Sequence, residues 1–331
     1  MPIYNCAPYI DEAINSILQQ TFTDFEFIII DDASTDGTTN ILKKYADPRI
    51  KFIFKDKNQG VSSAVNDGFR LAKGKYIARM DGDDISIKER FEKQVAILEN
   101  NSKIFVCGGL VQYLGGSNTI IKYREKHQEI ITELLISCSI CMGTSMFRRK
   151  ELANYFYDEN KKSGEDYDFW TKVAWLGEFY NIQEVLLFYR VHQNQASLVN
   201  KPQQIIDDVK IKLFLFKKLN YDTRIYPDNL IAKMLLLNKP IEVKELVLFL
   251  KLLKELVLLN QISKIYPQKE LENVLERVKR TLLFLLYFKT TTIGITKKWR
   301  IKALFKLDTL AALYILKLKS REFAKSIIKS K

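Results

Sequence analysis

The chain alternates two kinds of apolar pattern and then changes character near residue 200. Between Pro8 and Gln20, the residues Ile10, Ala13, Ile14, Ile17 and Leu18 recur at helical spacing, which predicts an amphipathic helix. Phe25 to Ile30 is an unbroken apolar run rich in β-branched residues, as expected for a strand buried on both faces. It stops at Asp31, Asp32, Ala33, Ser34, Thr35, Asp36 and Gly37, a polar turn that opens a helix running to about Tyr45. Ile50 to Phe54 predicts a second strand, Asn58-Gln59-Gly60 a second turn, Val61 to Ala72 a helix closed by Gly74, and Lys75 to Arg79 a third strand. Strands and helices alternating over short loops predict a parallel sheet with crossover helices. A helix over 87–100, strands at Ile104 to Leu114 and Gly143 to Phe147, a helix from Asp166 to Leu176 and a strand from Glu184 to Val191 complete this part.

Beyond Lys201 the chain is rich in Leu, Ile and Lys, with very little Gly. Helices are expected over 203–220, 228–238, 241–260, 268–288 and 297–329, with breaks at Pro227, Pro240 and Pro267. The pattern therefore predicts an α/β domain over 1–200 and an all-helical region over 201–331. Charge follows the same division: residues 200–331 carry 28 Lys and Arg against 12 Asp and Glu, net +16, and the rest of the chain is net −3. Four cysteines at irregular spacing do not form a disulfide framework, and the Cys138-x-x-Cys141 pair has no second pair or neighbouring His to complete a zinc site. Asp11 and Glu12 follow the N-terminus with no apolar run before them, so no signal peptide is expected, and a cytoplasmic location is.

Candidate chemistry concentrates at the end of the third strand. There Asp81, Asp83 and Asp84 fall within four positions around Gly82. Like charges this close repel, more so at the low effective dielectric of a protein than in water. Two readings account for them. Either a hard divalent cation, Mg²⁺ or Mn²⁺, is held here together with the phosphates of a ligand, or the acids form a solvated turn in which Asp84 or Ser86 caps the next helix. In open α/β sheets ligands bind beyond the carboxyl ends of the strands. Both acidic turns, at Asp31 and at Asp81, emerge at such ends.

The ordered motifs carry a family resemblance. Pro2-Ile-Tyr-Asn5, IIIDDASTDGT from Ile28, NQG from Asn58 with Asn66 beyond it, GKYIARMDGDD from Gly74, MFRR from Met146, GEDYDFW from Gly164 and YRVH from Tyr189 follow the order and approximate spacing of family 2 glycosyltransferases. The resemblance covers about residues 1–200 and implies inverting enzymes of the GT-A fold, which use a nucleotide-diphosphate sugar, here a UDP-sugar. It implies that Pro2, Tyr4, Asp31, Asn58, Asn66, Arg79, Asp81 and Arg190 hold the nucleotide and donor. Asp83, Asp84 and His192 would form the metal site, Asp166 would be the catalytic base, and Glu165 and Trp170 would face the acceptor. Competing readings stay open for several of these: Asp31 as a helix N-terminal acid, Trp170 as core, His192 as a side chain satisfied by a neighbour, and Arg190 as a partner of Asp166 or Glu165.

Members of this family begin with an apolar strand before Pro-x-Tyr-Asn, whereas here Met1 stands directly before Pro2. The first strand is thus apparently missing, and the natural protein is expected to carry roughly ten more residues upstream. In the basic tail, Trp299, Leu304, Phe305, Leu310 and Leu313 interleave with Lys297, Lys298, Lys302 and Lys306. That composition suits contact with an anionic membrane surface, or alternatively a dimerising bundle. No nucleic-acid-binding motif is present. The expected function is a metal-assisted glycosyltransferase at the inner face of the cell membrane, acting on a saccharide or lipid-linked acceptor; the alternative is a non-catalytic membrane-associated scaffold that retains the fold.

Overall fold

The computed structural model describes residues 1–331 apart from 116, 194, 196–200, 290–294 and 330–331. The chain forms two compact units, Met1–Ile211 and Lys212–Lys331, dividing a little beyond the boundary that composition suggests.

In the first unit most expected elements form close to their expected positions. The strand expected from Glu184 already begins at Glu178, and Gly143 and Thr144, expected to open a strand, lie in a 3-10 turn ahead of Met146–Arg148. The first helix, α1 (Ile10–Leu18), buries Ile10, Ala13, Ile14 and Ile17 along one face. β2 (Phe27–Asp31) lies between β1 (Pro2–Ile3) and β3 (Ile50–Phe54), and all three are parallel. α2 (Thr38–Leu42) and α3 (Val61–Leu71) are the crossover helices. β4 (Tyr76–Ala78) belongs to a second sheet, which also contains β5 (Ile85–Ser86), β6 (Ile104–Leu114), β8 (Met146–Arg148) and β9 (Glu178–Arg190) in the order β4-β8-β6-β9-β5, with β7 (Ile120–Ile121) on β6. Here only β6 and β9 are parallel; β4–β8, β8–β6 and β5–β9 are antiparallel. The parallel pairing predicted from the strand–helix alternation is thus found among the first three strands and between β6 and β9, and the remaining pairs are antiparallel. β5 follows β4 through a short turn, whereas β8 comes after the short helix α5 (His127–Glu133) and is followed by α6 (Arg149–Leu152), and both strands run antiparallel to their neighbours.

The expected first strand is present only as Pro2–Ile3. It pairs with β2 through Pro2↔Ile30 and Ile3↔Asp31, and Met1 extends that ladder by donating its amine to Ile28 O at 2.8 Å. Among the described residues β4 pairs with β8 alone. Its other edge faces a cleft of about 630 Å³, which Phe25, Phe27, Ile28, Tyr76 and Ile77 help to line. Burial of the Met1 amine in this cleft lowers its pKa to about 5.

Two helix boundaries differ from expectation. α4 runs from Arg90 to Asn100 with Glu89 at its N-cap, because Ile85 and Ser86 pair with β9 and leave Asp84 outside the helix. α7 spans Glu165–Val173 behind Gly164, whose φ of +67° is the left-handed conformation that glycine adopts freely. The second unit holds helices Asp228–Leu236, Val243–Ser263, Gln268–Phe284, Lys297–Leu304 and Thr309–Lys329. The single helix expected over 297–329 is therefore two. The chain breaks after Leu304, and Asp308 accepts the Ala311 N–H at 2.8 Å to start the second.

Candidate active site

β4 delivers the acidic cluster. Beyond Ala78, Arg79 is buried and its guanidinium meets the Asp81 carboxylate. Burial opposes the charge of Arg79, but the carboxylates of Asp81 and Asp166 outweigh it and hold the guanidinium firmly protonated. Asp81 is raised to about 6, chiefly by burial and also by Asp83, while Arg79 pulls the other way. Gly82 lets the turn press on β1: a Cβ there would lie 2.5 Å from Ile3 Cγ2.

Asp83 and Asp84 meet the end of β9. The Asp83 Oδ2 lies 3.0 Å from His192 Nε2 across 109 residues of sequence, and the His192 ring packs on Tyr9 with centroids 4.7 Å apart. The Asp84 Oδ1 accepts the Arg190 N–H at 2.9 Å. Its Oδ2 is buried with no hydrogen-bond partner, and burial together with the charges of Asp81 and Asp83 pushes its pKa well up. Arg190 does not pair with Asp166 or Glu165. It donates from Nε to Asp83 O at 2.9 Å, pairs with Glu12 and lies over the Tyr9 ring. The arginine therefore braces the acidic turn from outside.

Asp166 sits in the first turn of α7, near enough for its charge to act on both Arg79 and Asp81. Its Oδ1 accepts the Tyr157 hydroxyl at 2.8 Å. Burial and the charge of Asp166 keep that phenol well above its usual pKa, so it remains a donor. Glu165 beside it is raised to about 7 by burial first and by Asp166 second. Asp168 turns away to Lys161 and Lys172.

The donor-side residues are placed unevenly. Tyr4 is exposed, Pro2 is buried in β1, and Asn58 stands exposed in its turn. Asp31 is buried and accepts the Ser34 N–H at 2.9 Å and the Thr39 hydroxyl at 2.7 Å, the duty of an acid beside a helix start. Two expectations are corrected. Asn66 is buried, and its amide is fully occupied: Oδ1 accepts Tyr157 N–H at 2.8 Å, and Nδ2 donates to Tyr157 O at 3.1 Å and Glu159 Oε1 at 2.8 Å. It clamps the backbone of the residue that holds Asp166 and offers nothing to a donor. Trp170 has no exposed surface and stacks on Phe147 at 5.4 Å, so it is core and no acceptor platform.

Two residues of the site escape a reading of motifs. Tyr157 lies in an irregular segment with no local signal. Arg90 is buried without an acidic partner, donates to Arg79 O at 2.7 Å and to Gln94 Oε1 at 3.1 Å, and is lowered to about 10 by burial. Its signal was available: it shares the apolar stripe of α4 with Phe91, Gln94 and Leu98.

Among the described residues no cluster of three or more His, Cys, Asp or Glu is arranged to enclose a metal ion. The Asp83–His192 pair fits a cation that takes its remaining ligands from phosphate and water. Asp84, expected as a third ligand, does not join them: its buried Oδ2 lies 3.5 Å from where a Cβ on Gly143 would stand, and its Oδ1 is taken by the Arg190 N–H.

The glycosyl transferase family 2 pattern matches residues 1–156. An uncharacterized glycosyltransferase of Haemophilus influenzae is 33% identical over 244 residues, covering 67% of this chain and 75% of that protein. The chain belongs to glycosyltransferase family 2. The putative glycosyltransferase EpsE of Bacillus subtilis is 37% identical over 204 residues, 59% of this chain and 72% of that one. Among solved structures, S. aureus TarS 1-349 in complex with UDP-GlcNAc superposes with a TM-score of 0.56 at 18% identity, over 86% of this chain and 85% of that one. A mannosyltransferase of Pyrobaculum calidifontis in complex with GDP-Man and Mn²⁺ gives 0.51 at 16%, over 87% and 86%. The fold is that of the GT-A glycosyltransferases, as the motifs imply, and the protein is a glycosyltransferase.

Proposed function

We propose that this glycosyltransferase moves one sugar from a UDP-sugar to a hydroxyl of a saccharide or lipid-linked acceptor, with inversion, in surface polysaccharide or glycolipid synthesis. The observation that carries the reading is one continuous set of charges: the Asp83–His192 pair, the buried Arg79–Asp81 pair that Asp83 and Asp166 both act on, and Asp166 held by Tyr157. Asp83 and His192 would hold a divalent cation, Mn²⁺ or Mg²⁺, which would supply positive charge to the departing diphosphate. Asp166 accepts the proton of the acceptor hydroxyl as its oxygen bonds to the anomeric carbon and the bond to diphosphate breaks on the opposite face. A single displacement turns an α-linked donor into a β-linked product. Arg79 holds Asp81 in place, and Tyr157 aims Asp166. The net +16 charge from residue 200 onward supports a location at the inner face of the membrane, where a lipid-linked acceptor is presented.

Calorimetric titration of UDP with and without Mn²⁺ tests the donor site. Binding should need the metal and be lost in Asp83→Asn. Asp166→Asn should keep that binding and lose turnover. Metal-independent binding that survives Asp83→Asn would overturn the assignment.

A further inference from the structure

In the second unit the start of the Val243–Ser263 helix and the Lys297–Leu304 helix enclose a groove of about 730 Å³. Its floor is apolar, with Ile241, Val247, Leu248 and Trp299, and the Trp299 indole is fixed by donating to Ile241 O at 2.6 Å. Its rim carries Lys244, Lys251, Lys302 and Lys306 against a single acid, Glu242, which pairs with Lys244 at 3.0 Å. Among the described residues Lys251, Lys302 and Lys306 have no acidic partner. Beside this rim Ile301 and Phe305 are 60% and 82% exposed and Leu310 is 75% exposed, while Ala303 on the opposite side of the same helix is buried.

Three uncompensated ammonium groups around an apolar slot, flanked by apolar side chains left in water, match an amphiphile whose head is anionic and whose body is apolar. A soluble phosphate would answer the lysines and leave Ile301, Phe305 and Leu310 wet. A purely apolar partner would leave the lysines to lose hydration without compensation. We infer that this groove and the Ile301/Phe305 edge form a docking face for an anionic phospholipid bilayer, with a headgroup phosphate between Lys251, Lys302 and Lys306 and the apolar side chains in the interfacial layer. The inference rests on the membrane-surface reading above and assigns it to one face.

The test is flotation of the full chain with vesicles of phosphatidylcholine alone and of phosphatidylcholine with 30% phosphatidylglycerol, about that fraction being enough for a strong surface charge. Binding should need phosphatidylglycerol and weaken sharply in 0.5 M salt, where screening shortens to a few ångströms, about one ion diameter. Lys302→Glu/Lys306→Glu and, separately, Ile301→Ser/Phe305→Ser should each weaken it at least tenfold. Both pairs are exposed, and unchanged circular dichroism and thermal midpoint confirm that the variants fold. If the parent binds and both double variants bind as well as it does, the face is elsewhere: the inference fails while the membrane reading stands. If the parent binds neither vesicle, both fail. A dimer of the parent that Ile301→Ser/Phe305→Ser dissociates, with no vesicle binding, makes the face a contact between copies and also overturns the inference. Metal-dependent UDP binding is unaffected by any of these outcomes.

Discussion

At the scale of single residues, the candidate site is a set of acids held in position by neighbouring polar side chains. Asn66 fixes the backbone of Tyr157, and Tyr157 fixes Asp166. Removing the phenol hydroxyl in Tyr157→Phe deletes one hydrogen bond to a charged group, an effect of about 1.5–3 kcal/mol. With Asp166 as the proposed base, the contact orients that base and not the nucleotide, so steady-state kinetics should show kcat reduced roughly tenfold or more with the donor KM unchanged. A matching rise in donor KM would place Tyr157 in nucleotide binding instead. Glu165 gives a pH prediction. Its folded value of about 7 lies above the ordinary 4.5, so the folded protein favours the neutral acid. That contribution is complete below about 4.5 and is lost as pH rises through about 7. Glu165→Gln cannot ionise, and chemical denaturation should find it more stable than the parent by about 1–2 kcal/mol at pH 8 and equal to it near pH 4. An equal difference at both pH values would mean that packing, not charge, sets the effect.

At the scale of elements, the legible parts were those whose patterns are local. Ile50–Phe54 and Ile104–Leu114 form as strands with the bounds their apolar runs suggest, because a run flanked by turns leaves little freedom. The mixed second sheet was not legible, since antiparallel entry of β8 and β5 depends on contacts with β4, β6 and β9 far away in sequence. The same limit applies to the site. The carboxylates stand in recognisable motifs, but Asp83 finds His192, and Asp166 finds Tyr157, only through the fold. Asn66 and Trp170 show the converse: their motif positions suggested ligand contact, while burial gave them structural duties. The shortness of β1 leaves its own mark. Met1 is already in register with β2, accepting the Ile30 N–H at 2.9 Å, and the cleft continues from it between β2 and β4. A strand of about five alternating apolar residues fused ahead of Met1 would pair with both open edges and move the amine into solvent. Each apolar side chain buried there contributes roughly 1.5–3 kcal/mol before the entropy of ordering it. The thermal midpoint should rise by several degrees, about the response to 1–2 kcal/mol in a domain of this size, and hydrogen exchange at Ile28 and Ile77 should slow. An extension of alternating Ser and Gly should do neither; equal stabilisation by both would show that the cleft does not take a strand.

At the scale of the whole molecule, charge and chemistry are divided between the parts of the chain. The net −3 portion carries Asp81, Asp83, Asp84, Glu165 and Asp166 together, while the tail from residue 200 is net +16. None of the described helices is long and apolar enough to cross a membrane. An anionic diphosphate entering so acidic a site meets repulsion that Arg79 and Arg190, already paired with Asp81 and Glu12, do not offset. Nucleotide binding should therefore be conditional on the cation, and stability should report it. With Mn²⁺ present and UDP at about 100 times its Kd, linkage adds roughly 2.7 kcal/mol to the folded state. That corresponds to a rise of about 5–10 °C in the thermal midpoint of the unit that binds it. EDTA should abolish the rise, Asp83→Asn should never show it, and Asp166→Asn should keep it in full, because in the proposed mechanism Asp166 acts only when the acceptor reacts. A rise that persists in EDTA would mean that the acids are neutralised by protons and that the Asp83–His192 pair is a structural ion pair, not a metal site.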